Sequence, residues 1–214
     1  MKQANFTAIH TRDLEFLFAA YDDRFLGGLC RQALNGRRLD FELSKRMTVT
    51  GGVTSHILMR SGEVRFKIAI ASGILFDGFG QTDRRATVCG LECENRLAAL
   101  QRIFEHELIH LTEHLCWDRS NCAAPRFQEI AARLFLHRAH THDMITRKEL
   151  AARAGIRRGS LVSFDFEGRR LSGRVMRITK RVTVIVEAPE GPDTRRYTDG
   201  KHYRTYYVPL RSLK

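Results

Sequence analysis

The hydrophobic and polar positions change their period several times along the first part of the chain. From Asp13 to Leu34, apolar residues recur three and four positions apart, which predicts an amphipathic helix that ends at Asn35-Gly36. Leu39 to Ser44 and Val64 to Ile70 instead alternate apolar and polar residues, and each segment predicts a half-buried strand. A helix, a few strands and a further long helix in this order predict an α+β domain.

The long helix, from Glu94 to about Trp117, carries the most specific motif of the chain, His106-Glu107-Leu108-Ile109-His110. His106 and His110 lie four positions apart, so on a helix they share one face about one turn apart. Two imidazoles at this spacing bind one Zn²⁺, and Glu107 is placed to act on a water molecule rather than on the metal. The helix is expected to be buried, and its polar groups therefore need partners. Its apolar stripe consists of Leu97, Leu100, Ile103, Phe104, Leu108, Leu111 and Leu115.

Val64 to Ile70 is the predicted strand nearest in sequence to this helix. A strand beside an active-site helix can expose an edge that binds an extended peptide through main-chain hydrogen bonds, and this segment is the candidate. The same alternation is equally typical of an ordinary internal strand.

The second half of the chain predicts more helices and then a run of short strands. Arg126 to Leu136 and Ile145 to Arg153 have helical patterns. Short β-type runs follow, separated by turn residues, and predict a small closed barrel, SH3-like or OB-like. These runs are Leu161 to Phe166, Leu171 to Ile178, Val182 to Val186 and Tyr203 to Val208. The predicted organisation is a domain at 1–145, a helical linker at 146–157 and a β-barrel at 158–214.

The positive charge is concentrated at the C-terminal end. The net charge is +12 over 214 residues, and residues 146–214 hold 17 Lys and Arg against 7 Asp and Glu. A basic module of this kind predicts a polyanionic partner, first of all nucleic acid. Arginine binds phosphate, and exposed aromatic residues among the arginines can stack on bases. The candidate nucleic-acid-binding residues are Arg169, Arg170, Arg174, Arg177, Lys180 and Arg181.

The cysteines and the apolar segments indicate the environment of the protein. The 5 cysteines are odd in number and none forms C-x-x-C, which argues against a disulfide framework and a zinc ribbon and predicts a reducing cytoplasm. No continuous apolar run approaches the length of roughly 18 residues that a membrane helix needs. Met1 to His10 also lacks the apolar segment of a signal peptide. We therefore expect a cytoplasmic protein with no membrane span, and no pattern in the sequence predicts an oligomeric state.

Four segments resemble the successive landmarks of the SprT-like zinc metallopeptidases. They are Tyr21-Asp22-Asp23-Arg24-Phe25-Leu26-Gly27-Gly28, Ser44-Lys45-Arg46-Met47-Thr48-Val49-Thr50-Gly51-Gly52, Ile68-Ala69-Ile70-Ala71 and His106-Glu107-Leu108-Ile109-His110. The resemblance covers roughly residues 10–137, and the last segment is its most specific part. It implies a zincin-like domain, in which helices pack on a small mixed sheet around the zinc helix. Members of this family are associated with DNA and include proteases that cleave proteins crosslinked to it.

The chain departs from the family at the third zinc ligand. The family usually supplies a histidine four residues before a phenylalanine, and the matching segment, Asn121 to Phe127, has Ala123 at that place. One residue earlier stands Cys122, whose thiolate is a good zinc ligand. The candidates for the third ligand, in order of preference, are Cys122, then His137 or His142, then Glu129.

Together these features predict a zinc-dependent metallopeptidase that acts on protein substrates associated with DNA. His106, His110 and Cys122 would hold the metal, and Glu107 would be the catalytic base. His114 and His142 are the candidates for a proton donor. The alternative is a non-catalytic nucleic-acid-binding protein with a structural zinc site, and the absent family histidine supports it. A metal-dependent hydrolase of nucleic acid is a third hypothesis.

Overall fold

The computed structural model describes residues 4–79, 85–179 and 181–214. The chain divides into two compact units, Met1–Ile145 and Thr146–Lys214. Each unit combines helix and sheet around a hydrophobic core of its own, so the predicted α+β class is confirmed. Within the described residues, no helix is both long and apolar enough to cross a membrane.

The first unit contains, in chain order, α1 (Thr11–Leu26), α2 (Leu29–Leu34), β1 (Leu39–Ser44), β2 (Gly52–Leu58), β3 (Val64–Ala71), α3 (Ser72–Gly78), β4 (Ala86–Val88), β5 (Leu91–Cys93), α4 (Arg96–Trp117), α5 (Pro125–Phe135) and β6 (His142–Asp143). The single helix predicted from Asp13 to Leu34 is two helices. Gly27 and Gly28 adopt φ values of 60° and 80°, a left-handed conformation that ends α1 and starts α2 at a new angle.

The sheet next to the long helix has the strand order β1-β3-β2. β1 pairs with β3 in parallel and β2 pairs with β3 antiparallel. The expectation that Val64 to Ile70 forms an exposed edge is therefore wrong, because β3 is the central strand and β2 is the edge. The physical reason is visible in its burial: Ile68, Ala69 and Ile70 are consecutive and all buried, so both faces of β3 are covered.

Helix α4 forms the centre of the first unit. Asn95 caps its first turn, accepting a hydrogen bond of 2.9 Å from the Ala98 amide. The predicted apolar stripe is largely buried, and Leu100, Ile103 and Phe104 are all 0% exposed. α4 contacts β2 on one side and α5 on another. The helix that carries the histidines is thus packed against the rest of the first unit along much of its length.

The second unit contains α6 (Arg147–Arg153), β7 (Leu161–Phe166), β8 (Arg169–Ile178), β9 (Val182–Glu187), β10 (Thr194–Arg196) and β11 (His202–Val208). A short 3₁₀ turn, Leu210–Ser212, follows β11. Thr146 caps α6 by accepting a hydrogen bond from the Glu149 amide. The segment predicted as a linker adds Ala151 and Ile156 to the second core, where they pack with Val162, Phe164 and Val175.

The strands of the second unit form an open antiparallel sheet, in the order β10-β11-β9-β8-β7. The predicted closed barrel is not formed among the described residues. The outer edge of β7 is instead occupied by the C-terminal residue, since Ser163 and Lys214 exchange two main-chain hydrogen bonds of 2.9 Å. β10 and β7 are the two edge strands of this sheet.

Candidate metal centre

His106 and His110 converge on one point beside α4. Their Nε2 atoms lie 3.1 Å apart. A tetrahedral zinc ion with zinc–nitrogen bonds of about 2.0–2.1 Å places two imidazole nitrogens about 3.3 Å apart, so this separation fits the metal. Phe127, in the first turn of α5, packs on both rings, with centroid separations of 4.8 Å and 4.6 Å. The two imidazoles are therefore held in place before any metal binds.

The Cys122 thiol completes a group of three potential ligands. One ligand atom from each of His106, His110 and Cys122 lies within 4.8 Å of the other two. Cys122 is half-buried in the loop that joins α4 to α5. Burial raises the pKa of this thiol. A bound cation would favour the thiolate, which is the form that ligates zinc.

A second group of potential ligands shares His106 and adds Cys89 and His142. The Cys89 Sγ lies 3.7 Å from His106 Nδ1 and 3.8 Å from His142 Nδ1. This group uses the other ring nitrogen of His106. The imidazole can therefore bind a metal through Nε2 while its Nδ1–H points at the Cys89 sulfur, the arrangement expected for a ligand with an outer hydrogen-bond partner.

A two-residue hairpin turn between β4 and β5 brings Cys89 to this place. Cys89 and Gly90 have φ values of 53° and 74°, and positive φ at both central residues is the signature of a type I′ turn. β6 pairs with β4 in the register Val88 to His142, and the Cys89 amide donates to the Thr141 carbonyl at 3.0 Å. The small sheet therefore positions Cys89 and His142 together.

His137 and Glu129, the other predicted ligands, lie outside these groups. His137 is 5% exposed, and its Nε2 lies 3.0 Å from Glu105 Oε2 in a different part of the core. Glu129 is exposed, and it belongs to neither ligand group found among the described residues. α5 presents its first turn, with Phe127, to the metal centre, whereas His137 follows the far end of that helix.

His114, a candidate proton donor, lies one turn beyond His110 and beside β2. Its ring centroid is 5.5 Å from that of His56. Its Nδ1 atom is buried and has no hydrogen-bond partner among the described residues. His114 belongs to neither ligand group.

Glu107 is 2% exposed, because its side chain lies between α4 and the edge strand β2. The Thr54 hydroxyl lies 2.8 Å from Glu107 Oε2 and 2.9 Å from the Glu107 carbonyl oxygen. Gly52 leaves the room that the carboxylate occupies, because a Cβ at that position would lie 2.7 Å from the Glu107 Oε1. Burial raises the pKa of Glu107 to about 7, and the hydrogen bond from Thr54 opposes that rise.

The histidines of the centre are neutral at physiological pH. Burial lowers the pKa of His106 to about 2, and the neighbouring His142 and His110 lower it further. Burial also lowers the pKa values of His110 and His142, each to about 4. A neutral imidazole has a free lone pair, so these side chains are ready to bind a metal without losing a proton. Two imidazole nitrogens and one sulfur at these separations fit Zn²⁺.

No protein-family model, curated protein or solved structure gives a significant match to this chain. The resemblance to SprT-like metallopeptidases thus rests on the sequence landmarks.

The predicted nucleic-acid-binding residues of the second unit lie on and beside β8. Arg170 and Arg174 point to one face of the sheet because side chains alternate along a strand. A bulge between Val175 and Arg177 adds one residue, so Arg174 pairs with Ile185 and Arg177 with Thr183. The extra residue returns Arg177 to the face of Arg174. We call Arg170, Arg174 and Arg177 the arginine stripe.

An exposed aromatic residue lies on the same face as the arginine stripe. Tyr207 on β11 pairs with Thr183, the residue that pairs with Arg177 on the other side, and it is 64% exposed. Of the other candidates, Arg169 and Arg181 are exposed outside the stripe. Lys180 lies outside the described residues. The stripe is not purely basic, since Asp165 lies across from Arg170.

Sequence reasoning missed Thr54, Cys89 and Ser120 at the metal centre. Ser120 Oγ lies 2.6 Å from His110 Nδ1. None of the three belongs to a spacing motif, and the glycines and charged residues between Phe76 and Thr87 predict a loop before Cys89. The structure shows that α3 runs to Gly78 and β4 begins at Ala86, while residues 80–84 lie outside the described part.

Proposed function

We propose that this protein is a zinc-dependent metallopeptidase of the SprT-like type, acting on protein substrates associated with DNA. One observation supports the proposal above all others. His106 and His110 turn their Nε2 atoms toward each other on a buried helix, with the Cys122 thiol beside them and Glu107 packed against an edge strand. The zincin-like and SH3-like relationships of the two units stay predictions.

In this proposal His106, His110 and Cys122 are the protein ligands of Zn²⁺. When bound, the metal supplies a Lewis acid that activates a water molecule and polarises the substrate carbonyl. Neutral imidazoles and a thiolate bind such an ion without leaving a buried positive charge unpaired. The Cys89 sulfur, 3.7 Å from His106 Nδ1, orients that imidazole through the ring nitrogen that does not face the metal.

Glu107 is the general base and then the general acid of the reaction. It accepts a proton from the attacking water, whose oxygen forms a bond to the peptide carbonyl carbon. The carbon–nitrogen bond breaks next, and Glu107 returns the proton to the departing amine. Thr54 holds the carboxylate through its hydrogen bond of 2.8 Å, so that proton transfer does not require the side chain to reorient.

The edge strand β2 is suited to hold the substrate. Among the described residues it pairs only with β3, so the main-chain groups along its other edge are available. An extended peptide that adds to this edge forms main-chain hydrogen bonds whatever its sequence. Gly52 and Thr54 on the same strand contact Glu107, so a peptide bound there would lie close to the catalytic base.

The positive charge of the second unit supports the part of the proposal in which the substrates are proteins bound to nucleic acid. The arginine stripe is exposed and carries Tyr207 on the same face, which offers phosphate contacts and a surface for base stacking. In this proposal the second unit binds DNA, and proteins on that DNA reach the first unit at a raised local concentration.

The alternative, a nucleic-acid-binding protein with a closed structural zinc site, has one observation in its favour. Cys89, His106 and His142 form a second group of potential ligands on the Nδ1 side of His106, where a metal could be held away from His110, Cys122 and Glu107. The two proposals differ in whether exchangeable water reaches the metal.

The test uses the full chain and its Glu107→Gln, Cys122→Ser and Glu129→Gln variants. We expect one zinc per wild-type chain by elemental analysis, with cleavage of a DNA-bound protein detected on gels. Glu107→Gln should retain zinc and lose cleavage by at least about 100-fold, in line with the usual contribution of a general base. Cys122→Ser should lose zinc, and Glu129→Gln is the unaffected control. Zinc binding without any Glu107-dependent cleavage of protein would favour the structural alternative.

A further inference from the structure

Glu113 joins three parts of the chain around the metal centre. It lies on α4 three residues after His110, and its side chain is 0% exposed. One carboxylate oxygen, Oε2, accepts hydrogen bonds from the Ser120 hydroxyl at 2.7 Å and the Asn121 amide at 3.3 Å. The other, Oε1, accepts from Arg126 Nε at 2.6 Å. Burial alone would raise the pKa of Glu113, but these donors outweigh it and the pKa is lowered, so the group is a carboxylate.

The direction of each hydrogen bond follows from this charge. A carboxylate can only accept, so Ser120 must donate its single hydroxyl hydrogen to Glu113. Ser120 Oγ also lies 2.6 Å from His110 Nδ1, and toward this atom it can act only as an acceptor. His110 Nδ1 therefore carries the hydrogen. A neutral imidazole has one N–H, which leaves His110 Nε2 as a bare lone pair 3.1 Å from His106 Nε2.

The same carboxylate fixes the loop that carries Cys122. Arg126, bound to Glu113, also donates from Nη2 to the Arg119 carbonyl at 3.2 Å, and its guanidinium lies 4.3 Å from the Trp117 ring centroid. Gln128 on α5 donates to the Cys122 carbonyl at 3.4 Å. The loop is held on both sides of Cys122, and Glu113 is the buried anchor.

We propose that Glu113, acting through Ser120 and Arg126, is the positioning residue of the metal centre: it sets the Nδ1–H tautomer of His110 and holds the Cys122 loop beside it. The proposal deepens the zinc site and rests on the proposed function for the identity of the metal. The hydrogen bonds between Glu113, Ser120 and His110 are a property of the metal-free protein, so they can be measured separately from zinc binding.

The sharpest variant is Glu113→Gln, which keeps the size of the side chain. The charged Arg126 Nε donates to the Oε1 position at 2.6 Å, whereas the Asn121 amide donates to the Oε2 position at the longer distance of 3.3 Å. The stronger, charge-assisted bond holds the amide oxygen at Oε1, so the amide N–H₂ faces Ser120. Ser120 must then accept from the amide and donate to His110 Nδ1. The N–H of His110 moves to Nε2, where it blocks the ligand atom. The variant should therefore reverse the direction of the hydrogen bonds between residue 113, Ser120 and His110 rather than remove them.

The experiment records ¹⁵N imidazole shifts of the metal-free full chain, and zinc affinity by competition with a chromophoric chelator. Wild type should show the Nδ1–H tautomer of His110, and Glu113→Gln the Nε2–H tautomer. Ser120→Ala should lose the tautomer preference, and Ser120→Thr should restore it. We expect zinc to bind 10–100-fold more weakly to Ser120→Ala and Glu113→Gln, the usual range for an outer partner of a ligand. Ser61→Ala, on an exposed turn, is the matched control.

Cobalt substitution tests whether the loop holds Cys122 at the metal, because a ligating thiolate gives a charge-transfer band, and loss of the band in Cys122→Ser shows that it arises from Cys122 rather than Cys89. We expect the band in wild type, and a weaker one in Arg126→Met. Near-ultraviolet circular dichroism shows that each variant is folded. An unchanged His110 tautomer in Glu113→Gln, or zinc affinity within twofold of wild type in Ser120→Ala, would overturn the inference while leaving the zinc site intact. A wild type that shows the tautomer pattern but binds no zinc would overturn the proposed function and support the hydrogen-bond chain.

Discussion

At the scale of single residues, the position of the Glu107 carboxylate depends on the absence of a side chain at Gly52. Gly52 has no side chain at the point where β2 crosses Glu107, and a Cβ there would lie 2.7 Å from the Glu107 Cγ. Its backbone does not have the positive φ that favours glycine, so a substitution meets only a steric conflict with the carboxylate. The glycine is therefore a direct determinant of where the base lies.

Gly52→Ala should lower peptidase activity by about 10–100-fold, because a misplacement of a catalytic group by about 1 Å costs rates of this order. Zinc content should stay at the wild-type level, since neither His106 nor His110 is touched. Elemental analysis together with a cleavage assay would check both. Gly191→Ala is the control, as its added Cβ meets nothing closer than 4.0 Å. Full activity in Gly52→Ala would show that Glu107 is not fixed by β2.

At the scale of elements, α4 uses its faces for different purposes. One face carries His106 and His110, and another buries Glu105 with three partners. Tyr21 donates to Glu105 Oε1 at 3.0 Å, and His137 Nε2 lies 3.0 Å from Glu105 Oε2. Arg102 Nη1 also donates a hydrogen bond to Glu105 Oε2, at 2.7 Å. His137 is therefore held by a buried carboxylate network rather than by the candidate metal centre.

His137→Leu should lower the free energy of unfolding by about 1–3 kcal/mol, because it removes a hydrogen-bond partner of a buried carboxylate. Zinc stoichiometry should not change. Chemical denaturation of the metal-free chain measures the first quantity and elemental analysis the second. His140→Leu, at a half-buried position where the ring contacts Gln128 rather than Glu105, should leave both unchanged. Loss of zinc in His137→Leu with the fold intact would instead make His137 a ligand.

The arginine stripe depends on an element-level feature, the bulge in β8. Removing two phosphate contacts lowers the slope of log affinity against log salt by about 1.4 for single strands and about 1.8 for duplex DNA. We expect Arg174→Ala/Arg177→Ala to weaken DNA binding and to reduce the slope by this amount. Fluorescence anisotropy at several salt concentrations measures it. Arg157→Ala/Arg158→Ala removes the same charge outside the stripe, and an equal loss there would mean that charge alone matters.

At the scale of the whole molecule, the buried titratable groups determine how stability depends on pH without metal. The pKa values of His106, His110 and His142 are lowered, so below pH 6.5 the unfolded chain binds protons that the folded chain does not. Their contribution to stability is present above pH 6.5 and is lost as the pH falls. Glu107, with a pKa raised to about 7, acts in the opposite direction: its contribution is full at low pH and is lost as the pH rises through 7.

Three histidines outweigh one carboxyl group, so the metal-free protein should lose stability between pH 6.5 and 5. Near pH 5.5 the unfolded chain binds about two more protons, a slope of about 2–3 kcal/mol per pH unit. Glu107→Gln removes the opposing group and should steepen the slope by about 1.4 kcal/mol per pH unit. Denaturant titrations at a series of pH values measure both slopes. A flat profile, or a shallower one in Glu107→Gln, would contradict these assignments.

The sequence by itself determined the α+β class, most of the strands and the helix that carries His106, Glu107 and His110, because these depend on local periodicity. The helical spacing also determined that the two histidines share a face. Only the tertiary structure decided which distant residues join them. Cys122 reaches the site through a loop fixed by Glu113, and Cys89 through a hairpin turn, while His137 turns to Glu105. These contacts depend on packing between segments far apart in sequence, and the local pattern of apolar and polar residues does not determine such packing.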